Sequence, residues 1–394
     1  MKKIINISFF VLFLACLFLL FYKKKDDEIT LNIYNWGDFI ATKNNGGIDV
    51  NELFTQKTGI KINYTTFQSN EEMLAKILGG GASYDVIFPS DYILEKLIKE
   101  NMLEELDFNN IPNYRYVDSS LKNFEFDPEN KFAVPYLYGF LGIFYNNKFV
   151  KKNNNNIDWD ILWNKKYAKK IIMFDNPRDD LAIALLKNKK SINSENKNDW
   201  ILASEELKNQ RELVQSYMSD QILDKLLGEE VYIAPFYYGH TAQDENLRNN
   251  KNIKFVIPKS ATNKFVDFAC ILKNSRHKSE AEKYINFLLT DEVSQANAQA
   301  TGYLPASKNI SEELISNSEA LKNYDMKKSY VYRDLSPEIS KLNDESWVNI
   351  RAGEENLDFY NIILIFIFCL LIILNAIIFF RRFKNNREYI TCSE

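Results

Sequence analysis

Ring-bearing and acidic side chains lie next to each other where the first predicted strand ends. The segment from Ile29 to Ile33 alternates apolar and polar residues, which is typical of a half-buried strand. Trp36, Asp38 and Phe39 follow it directly. In open α/β sheets, ligands bind at the carboxyl ends of the strands. An indole ring and a carboxylate at such an end both attract positive charge, so this stretch predicts a site for an organic cation.

The same pattern recurs at the end of a second strand. Tyr84 to Phe88 is an apolar segment that runs into Pro89-Ser90 and then into Asp91 and Tyr92. An acid and an aromatic ring are therefore expected at the same edge of the sheet as the first pair. Two such strand ends together have the chemistry of an organic-cation receptor.

Two further acids stand at informative positions. Asp179 lies in an acidic segment that follows the predicted buried strand Ile171 to Phe174 and opens a helix. Acids in a first helical turn also stabilise the helix dipole, so a purely structural role for Asp179 stays open. Asp267 interrupts the apolar strand Phe265 to Ile271. That carboxylate either faces solvent or is held by a partner, because burying it unpaired is costly.

Helices and strands alternate between these strand ends. Val50 and Phe54 share a helical face that stops at Gly59, a usual C-cap residue. Asn70 is predicted to cap the next helix, and the chain then enters the strand Tyr84 to Phe88. This alternation predicts a parallel sheet with right-handed crossovers. The apolar stretch from Phe132 to Asn146 predicts a pair of short strands.

Length and composition allow two ordinary domains and argue against several classes of function. The chain has 394 residues and 46% of them are apolar, which is enough for sizeable cores. A net charge of −4 provides no basic footprint for nucleic acid. His240 and His277 are the only histidines, and no GxSxG, HExxH or Walker motif occurs. We therefore expect neither an enzyme nor a cofactor-binding protein.

Apolar runs near both ends of the chain predict membrane segments. Ile4 to Tyr22 is long enough to span a bilayer, with a cleaved signal peptide or lipidation at Cys16 as open alternatives. Ile362 to Phe380 is a second run of spanning length, followed by a basic cluster that begins at Arg381. The positive-inside rule places that tail in the cytoplasm and the globular part on the periplasmic or extracellular face.

Several short motifs, taken together, resemble the polyamine (spermidine/putrescine) substrate-binding proteins of ABC importers. The resemblance covers roughly Ile29 to Leu357, and the order and spacing of the motifs carry it. The motifs are Tyr34-Asn35-Trp36, the segment from Phe54 to Lys61, Ser69-Asn70-Glu71 with Met73, Tyr84-Asp85-Val86-Ile87 with Pro89-Ser90 and Tyr92, Val134-Pro135-Tyr136 with Gly139, the segment from Tyr284 to Leu289, and Gly302-Tyr303.

The resemblance implies a two-lobed α/β fold, the type II periplasmic-binding-protein fold, with a mostly parallel sheet flanked by helices in each lobe. It implies a ligand in the cleft between the lobes, lobe closure as the working motion, and delivery to the permease and ATPase subunits of an importer. We assign residues 29–136 and 266–308 to lobe 1, and 137–265 and 309–358 to lobe 2. Residues 1–28 are the signal or anchor segment, 359–381 the C-terminal transmembrane helix, and 382–394 the cytoplasmic tail.

The resemblance also implies a set of binding residues. Asp179 matches a glutamate of the family, Asn176 replaces an aspartate, Tyr237 replaces a tryptophan, and Val348 lies where a glutamine is expected. These departures keep the aromatic box but remove one charge and one amide, so the preferred diamine or triamine stays open. The predicted binding residues are Trp36, Asp38, Phe39, Asp91, Tyr92, Asn176, Asp179, Tyr237, Phe265, Asp267 and Tyr303.

Three other functions compete with polyamine transport. A ferric-ion receptor could use Tyr237 and Tyr238, with His240 as an extra ligand, although adjacent residues on a strand point to opposite faces. A receptor for another organic cation, such as a thiamine-like molecule, would use the same rings and acids. A membrane-tethered sensor is the third, although the short tail after Arg387 carries no output domain.

Overall fold

The computed structural model describes residues 29–37, 39–45, 47–80, 83–151, 157–219, 221–239, 249–322, 324–352 and 363–377. The strands in these ranges are β1 (Thr30–Trp36), β2 (Lys61–Phe67), β3 (Val86–Ile87), β4 (Ala133–Asn146), β5 (Ile171–Phe174), β6 (Val214–Met218), β7 (Ile233–Tyr237), β8 (Ile253–Val256), β9 (Thr262–Ile271), β10 (Leu304–Pro305) and β11 (Ser329–Tyr330).

The helices of the same ranges lie between and after the strands. They are α1 (Val50–Thr58), α2 (Asn70–Leu78), α3 (Asp91–Lys99), α4 (Pro177–Lys187), α5 (Lys197–Gln210), α6 (Ile222–Leu227), α7 (Lys278–Leu288), α8 (Asp291–Thr301), α9 (Lys308–Asn317), α10 (Pro337–Ala352) and α11 (363–377). Short 3-10 helices cover Pro112–Tyr116, Ser119–Leu121, Trp159–Trp163, Lys165–Tyr167, Arg211–Leu213 and Met326–Lys328.

The described residues belong to two compact units. Unit 1 takes those within Met1–Gly139, Gly239–Asp244 and Phe265–Ser318, and unit 2 those within Phe140–Tyr238, Glu245–Lys264 and Glu319–Glu394. Strands β4 and β9 each contribute residues to both units, so the chain changes unit within them. The lobe boundaries assigned from the sequence stay a prediction.

Unit 1 contains a mixed sheet with strand order β2-β1-β3-β9. β1 runs parallel to β2 along its whole length and parallel to β3, whereas β3 and β9 are antiparallel. The carboxyl ends of β1 and β3 therefore lie at one edge of the sheet, as the sequence predicted. Leu31 and Ile33 of β1 are fully buried, which agrees with the alternation that predicted this strand.

Unit 2 contains a mixed sheet with strand order β4-β7-β5-β6. β5 is parallel to β6 and β7, and β4 is antiparallel to β7 and β8. The stretch from Ala133 to Asn146 forms the single long strand β4, so the prediction of two short strands is wrong. All of its residues are buried, and periodicity alone cannot place a break in a uniformly apolar run.

Capping residues define where the first two helices of unit 1 end and begin. α1 ends at Gly59 with φ +77°, a left-handed conformation that favours glycine, which confirms the predicted C-cap. The predicted N-cap of α2, Asn70, is wrong by one residue. Ser69 is the cap, because its side chain accepts a hydrogen bond from the Glu72 backbone N–H. The Asn70 side chain is thereby left for other contacts.

The C-terminal helix α11 has apolar side chains that are exposed along its length. Across the described ranges, no helix has both the length and the apolar character required to cross a membrane. The predicted N-terminal segment, 1–28 with Cys16, lies outside the described residues. So do positions 359–362 and 378–394 of the predicted C-terminal span and tail.

Candidate functional site

Asp267 is a buried carboxylate of unit 1. It lies in β9 with 2% of its surface exposed, and its Oδ1 accepts a hydrogen bond from Ser90 Oγ at 2.7 Å. Burial raises the pKa of Asp267 to about 7, while the Ser90 hydroxyl and the Trp36 indole oppose the rise. Trp36 Nε1 lies outside hydrogen-bond geometry but close enough to favour the charged carboxylate. The sequence left open whether Asp267 faces solvent or is held by a partner. In the structure it is buried and held by Ser90.

A hydrogen-bonded chain links Asp267 to the start of α2. Asn70 Nδ2 donates to Ser90 Oγ and to Tyr92 OH, each at 3.1 Å. Tyr92 OH donates in turn to Glu71 Oε1 at 3.0 Å. The chain joins the start of α2, the junction between β3 and α3, and β9 through one polar cluster. Its outer members, Glu71 and Tyr92, are accessible to solvent.

An aromatic wall lies beside this cluster in unit 1. The Phe39 ring lies 5.9 Å from the Trp36 ring and 5.0 Å from the Tyr303 ring, measured between centroids. Phe265 meets Tyr303 edge to face at 5.4 Å and 87°. The Trp36 indole connects this wall to Asp267, so unit 1 combines flat apolar surfaces with a buried acid. That combination suits methylene groups next to an ammonium group.

Backbone contacts fix the position of the aromatic wall. Tyr136 OH donates to the Phe39 carbonyl at 2.5 Å, and Asn297 Oδ1 accepts from the Ala41 backbone N–H at 2.8 Å. Gly239 has φ +125°, and a Cβ there would lie 2.6 Å from Tyr303 Cδ1. The Tyr303 ring therefore packs on a backbone position that only glycine can occupy without strain.

Two of the predicted acids, Asp91 and Asp38, are not placed beside the aromatic wall by any described contact. Asp91 is fully buried at the first position of α3, where its Oδ1 accepts from the Tyr92 backbone N–H at 2.8 Å. That contact stabilises the start of the helix and orients the backbone of Tyr92. A ligand role for Asp91 stays a prediction. Asp38 lies outside the described residues.

Asp179 is the central acid of unit 2. It is 3% exposed, and its two oxygens accept hydrogen bonds from two tyrosine hydroxyls. Tyr237 OH donates to Oδ2, and Tyr332 OH donates to Oδ1 at 2.9 Å. The Tyr237 ring also stacks on Phe174, with centroids 5.1 Å apart and planes at 29°. Unit 2 thus repeats the combination of a buried carboxylate with aromatic surfaces.

The Arg178 guanidinium packs on the Tyr332 ring. The guanidinium carbon lies 4.4 Å from the Tyr332 ring centroid and 5.4 Å from that of Trp200. Arg178 Nη2 donates to Asn193 Oδ1 at 3.0 Å and to the Arg333 carbonyl at 3.2 Å. These contacts tie the irregular segment that carries Tyr332 to the start of α4, and so they set the position of the Asp179 hydroxyl partner.

Asn176 is the N-cap of α4. Its side chain accepts from the backbone N–H groups of Arg178 and Asp179, which leaves only its Nδ2 donors for other partners. A donor does not pair with an ammonium group, and a binding role for Asn176 stays a prediction. The neighbouring Asp180 is fully buried, and burial and the Asp179 charge raise its pKa well above the usual range.

The structure brings most of the predicted residues together within their own units. Unit 1 gathers Trp36, Phe39, Tyr92, Phe265, Asp267 and Tyr303, and unit 2 gathers Asn176, Asp179 and Tyr237. Sequence reasoning missed partners of the two acids: Asn70, Ser90 and Glu71 in unit 1, and Arg178 and Tyr332 in unit 2. The first three stand in motifs that carried the family resemblance. Tyr332 lies in a segment without periodicity and gave no signal.

Tyr237 and Tyr238, the tyrosines of the ferric-ion alternative, have different neighbours. Tyr237 packs on Phe174 and binds Asp179, whereas the Tyr238 ring lies 5.5 Å from that of Phe255. Among the residues with described positions, no group of three or more His, Cys, Asp and Glu side chains could hold a metal ion.

Comparison with known proteins gives consistent results. The model of the family described as bacterial extracellular solute-binding protein matches residues 82–329. The chain is 30% identical over 351 residues to the putrescine-binding periplasmic protein SpuD of Pseudomonas aeruginosa, covering 83% of this chain and 93% of SpuD. It is 28% identical over 333 residues to the spermidine/putrescine-binding periplasmic protein of Escherichia coli, with the same two coverages.

A solved structure extends this similarity to the fold. The spermidine/putrescine ABC transporter substrate-binding protein PotD from Streptococcus pneumoniae superimposes with a TM-score of 0.71 at 30% identity. The match covers 82% of this chain and 98% of PotD. The two-lobed α/β fold predicted from the sequence is therefore confirmed.

Proposed function

Because this chain belongs to the family of bacterial extracellular solute-binding proteins, we propose that it binds a polyamine, putrescine or spermidine, and delivers it to an ABC importer. The observation that carries the proposal is Asp267. It is a buried carboxylate next to the aromatic wall, and its described partners are a hydroxyl and an indole rather than a lysine or arginine. A protonated amine supplies the missing positive charge.

Polyamines match these surfaces physically. They are flexible methylene chains that carry separated ammonium groups. The rings of Trp36, Phe39 and Tyr303 offer apolar area to the methylenes and negative faces to the charges, each cation–π contact being worth about 0.5–2 kcal/mol. Asp267 fixes one ammonium group, and the Asp179 and Tyr237 pair of unit 2 offers the same chemistry for another.

The partner proteins follow from the family. The SpuD and PotD relatives are named as periplasmic and ABC-transporter substrate-binding proteins. We place this protein outside the cytoplasmic membrane, where it hands its ligand to permease subunits that an ATPase drives. The protein itself performs no chemical step on the polyamine.

Ligand identity can be tested by thermal unfolding and calorimetry. Purified protein is heated with putrescine, spermidine, thiamine or Fe³⁺ at matched ionic strength. A ligand that binds only the native state raises the melting temperature. At a ligand concentration of one hundred times Kd, it increases the free energy of unfolding by about 2.7 kcal/mol. Stabilisation by putrescine or spermidine, with a stoichiometry of one by calorimetry, supports the proposal. Stabilisation by thiamine or Fe³⁺ alone would replace it with one of the alternative receptors.

We further propose that α11 belongs to a membrane anchor. The support is its exposed apolar surface together with the apolar run Ile362 to Phe380 and the basic cluster that starts at Arg381. Such an anchor keeps the binding units beside the permease and leaves the basic tail in the cytoplasm. Full-length protein should stay with washed membranes in high salt and leave them only in detergent. A chain that stops at residue 352, with an ordinary cleavable signal peptide, should appear in the soluble periplasmic fraction.

A further inference from the structure

Asn70 occupies the centre of the polar cluster in unit 1. It is 5% exposed at the first position of α2, and Ser69 performs the capping that a helix start requires. Its Oδ1 accepts from the Ser90 backbone N–H at 3.2 Å. Because a backbone N–H can only donate, the amide oxygen must face Ser90 N, and the amide nitrogen must face the two hydroxyls.

The amide orientation determines where the hydroxyl hydrogens go. Asn70 Nδ2 only donates, and it lies 3.1 Å from both Ser90 Oγ and Tyr92 OH. Each hydroxyl carries one hydrogen, so each accepts from Asn70 and has its own hydrogen left for another acceptor. Ser90 uses it on Asp267 Oδ1 at 2.7 Å, and Tyr92 uses it on Glu71 Oε1 at 3.0 Å.

We propose that Asn70 is a positioning residue that directs the hydroxyl hydrogens of Ser90 and Tyr92 onto Asp267 and Glu71, and thereby holds Asp267 in the charged form that a cation requires and orients the Glu71 carboxylate. Its consequence for ligand binding rests on the proposed polyamine function. Glu71 becomes a second acidic group on the same surface of unit 1, in addition to Asp267. The side chains of the neighbouring residues Asn70 and Glu71 are linked through the Tyr92 hydroxyl.

The surroundings of Asp267 make the direction of the Ser90 hydroxyl hydrogen important. Asp267 acts on the titratable Tyr136 of β4, whose pKa is raised chiefly by burial, so Tyr136 stays neutral. From β1 Asp267 is affected by the Trp36 indole, and from the β3–α3 junction by Ser90. Within the described ranges, no lysine, arginine or histidine contributes to its pKa. A single hydroxyl donor therefore has a large share in keeping Asp267 ionised.

The direct test is the pKa of Asp267 itself, which needs no ligand. Protein with ¹³C-labelled aspartate is titrated by NMR, and the resonance is assigned by its loss in Asp267→Asn. We expect Asn70→Leu and Ser90→Ala each to raise the pKa of Asp267 by about 1, since each removes or misdirects a hydrogen bond that favours the charged carboxylate. Asn286→Leu removes another amide of unit 1, which binds the Asn113 backbone, and should leave that pKa unchanged.

A double-mutant cycle separates positioning from general destabilisation. If Asn70 acts through Ser90, Asn70→Leu in the Ser90→Ala background should raise the pKa of Asp267 much less than it does alone. Full additivity, or an unchanged pKa in Asn70→Leu, would overturn the proposal. If Asn70→Leu does not fold, the smaller and equally uncharged Asn70→Ala removes both donors, and its rise must likewise shrink in the Ser90→Ala background.

Binding measurements add a second readout. The pH at which putrescine affinity is half lost should move upward in Asn70→Leu and in Ser90→Ala, and should stay in place in Tyr92→Phe. A uniform loss of affinity at every pH in Asn70→Leu would contradict the positioning role. If the unmodified protein binds no polyamine, the proposed function fails, whereas the NMR titration still decides the role of Asn70.

Discussion

Asp179 Oδ1 accepts a hydrogen bond from the hydroxyl of Tyr332 at 2.9 Å, across 153 positions of sequence. Tyr237 OH donates to the other carboxylate oxygen. Two hydroxyl donors orient a buried carboxylate and offset part of the free-energy cost of its burial. The two hydroxyls explain how unit 2 holds this acid in place.

Tyr332→Phe should lower the free energy of unfolding by about 1–3 kcal/mol, because it leaves one oxygen of a buried carboxylate without its donor. It should also weaken polyamine binding, since Asp179 loses one of the contacts that orient it. Urea unfolding and calorimetry measure the two effects. Tyr330→Phe removes a hydroxyl from an exposed tyrosine two positions earlier and should change neither quantity. Equal behaviour of the two variants would show that the Asp179 contact has no energetic weight.

Asp267→Asn should weaken putrescine or spermidine binding at least tenfold, which corresponds to about 1.4 kcal/mol. Truncating one partner of a buried, hydrogen-bonded charge pair typically costs about 2–5 kcal/mol, so tenfold is the lower bound. Asp107→Asn removes the same charge from an exposed loop of unit 1 and serves as the control in calorimetry. An affinity that matches the unmodified protein would remove Asp267 from the binding site.

Polyamine affinity should rise with pH up to about 7. Burial raises the pKa of Asp267 to about 7, so below that pH the ligand-free protein holds a proton that an ammonium group must displace. With one proton involved, affinity should fall by up to about tenfold for each pH unit below 7 and level off above it. Calorimetry between pH 5.5 and 8.5, values chosen to lie about 1.5 on either side of that pKa, measures the slope. Asp267→Asn should flatten it.

The same carboxyl affects the stability of the ligand-free protein with the opposite sign. The folded state binds the proton more tightly than the unfolded chain, whose aspartate pKa is about 3.9. The stability it contributes is fully present below that unfolded pKa and is lost as the pH rises through about 7. The difference in the free energy of unfolding between Asp267→Asn and the unmodified protein, both without ligand, should therefore favour the variant more at pH 8 than at pH 4. Urea unfolding at the two pH values measures this difference.

Gly239→Ala should disturb the aromatic wall. The new Cβ would lie 2.6 Å from Tyr303 Cδ1, and the backbone φ of +125° is strained for alanine. We expect both a lower free energy of unfolding and a weaker affinity for polyamines, because the Tyr303 ring must move. Gly80→Ala has φ +67° with no atom within 4 Å of its Cβ, so it should cost stability alone. Unchanged affinity in Gly239→Ala would show that the position of Tyr303 is not needed.

Local chemistry explains which parts of the fold the sequence predicted correctly. The end of α1 at Gly59 and the strand β1 follow from a left-handed cap and from simple alternation, which are properties of neighbouring residues. The N-cap of α2 was misplaced because Ser69 and Asn70 are both good capping residues, and only the Ser69 contact to Glu72 distinguishes them. The sequence predicted two strands in place of β4, because a uniformly buried strand shows no alternation of apolar and polar residues.

The candidate site divides in the same way. The acids and rings at strand ends, such as Trp36, Asp179 and Asp267, were identifiable because a carboxylate in an apolar strand or at its end must have a reason to be there. Their partners were not identifiable from the same reasoning. Ser90 and Asp267 are 177 positions apart in sequence, and only the antiparallel neighbourhood of the β3 end and β9 brings them within 2.7 Å.

The sequence alone determined the class of protein, the places where the chain turns at strand ends, and the kind of ligand those side chains suit. Only the tertiary structure decided which hydroxyls meet which carboxylates, and hence that Asn70, Glu71 and Tyr332 are linked to predicted binding residues. The reason is physical: propensity and periodicity act over a few residues along the chain. A hydrogen bond between distant residues depends instead on strand order and register, which are set by the packing of the whole unit.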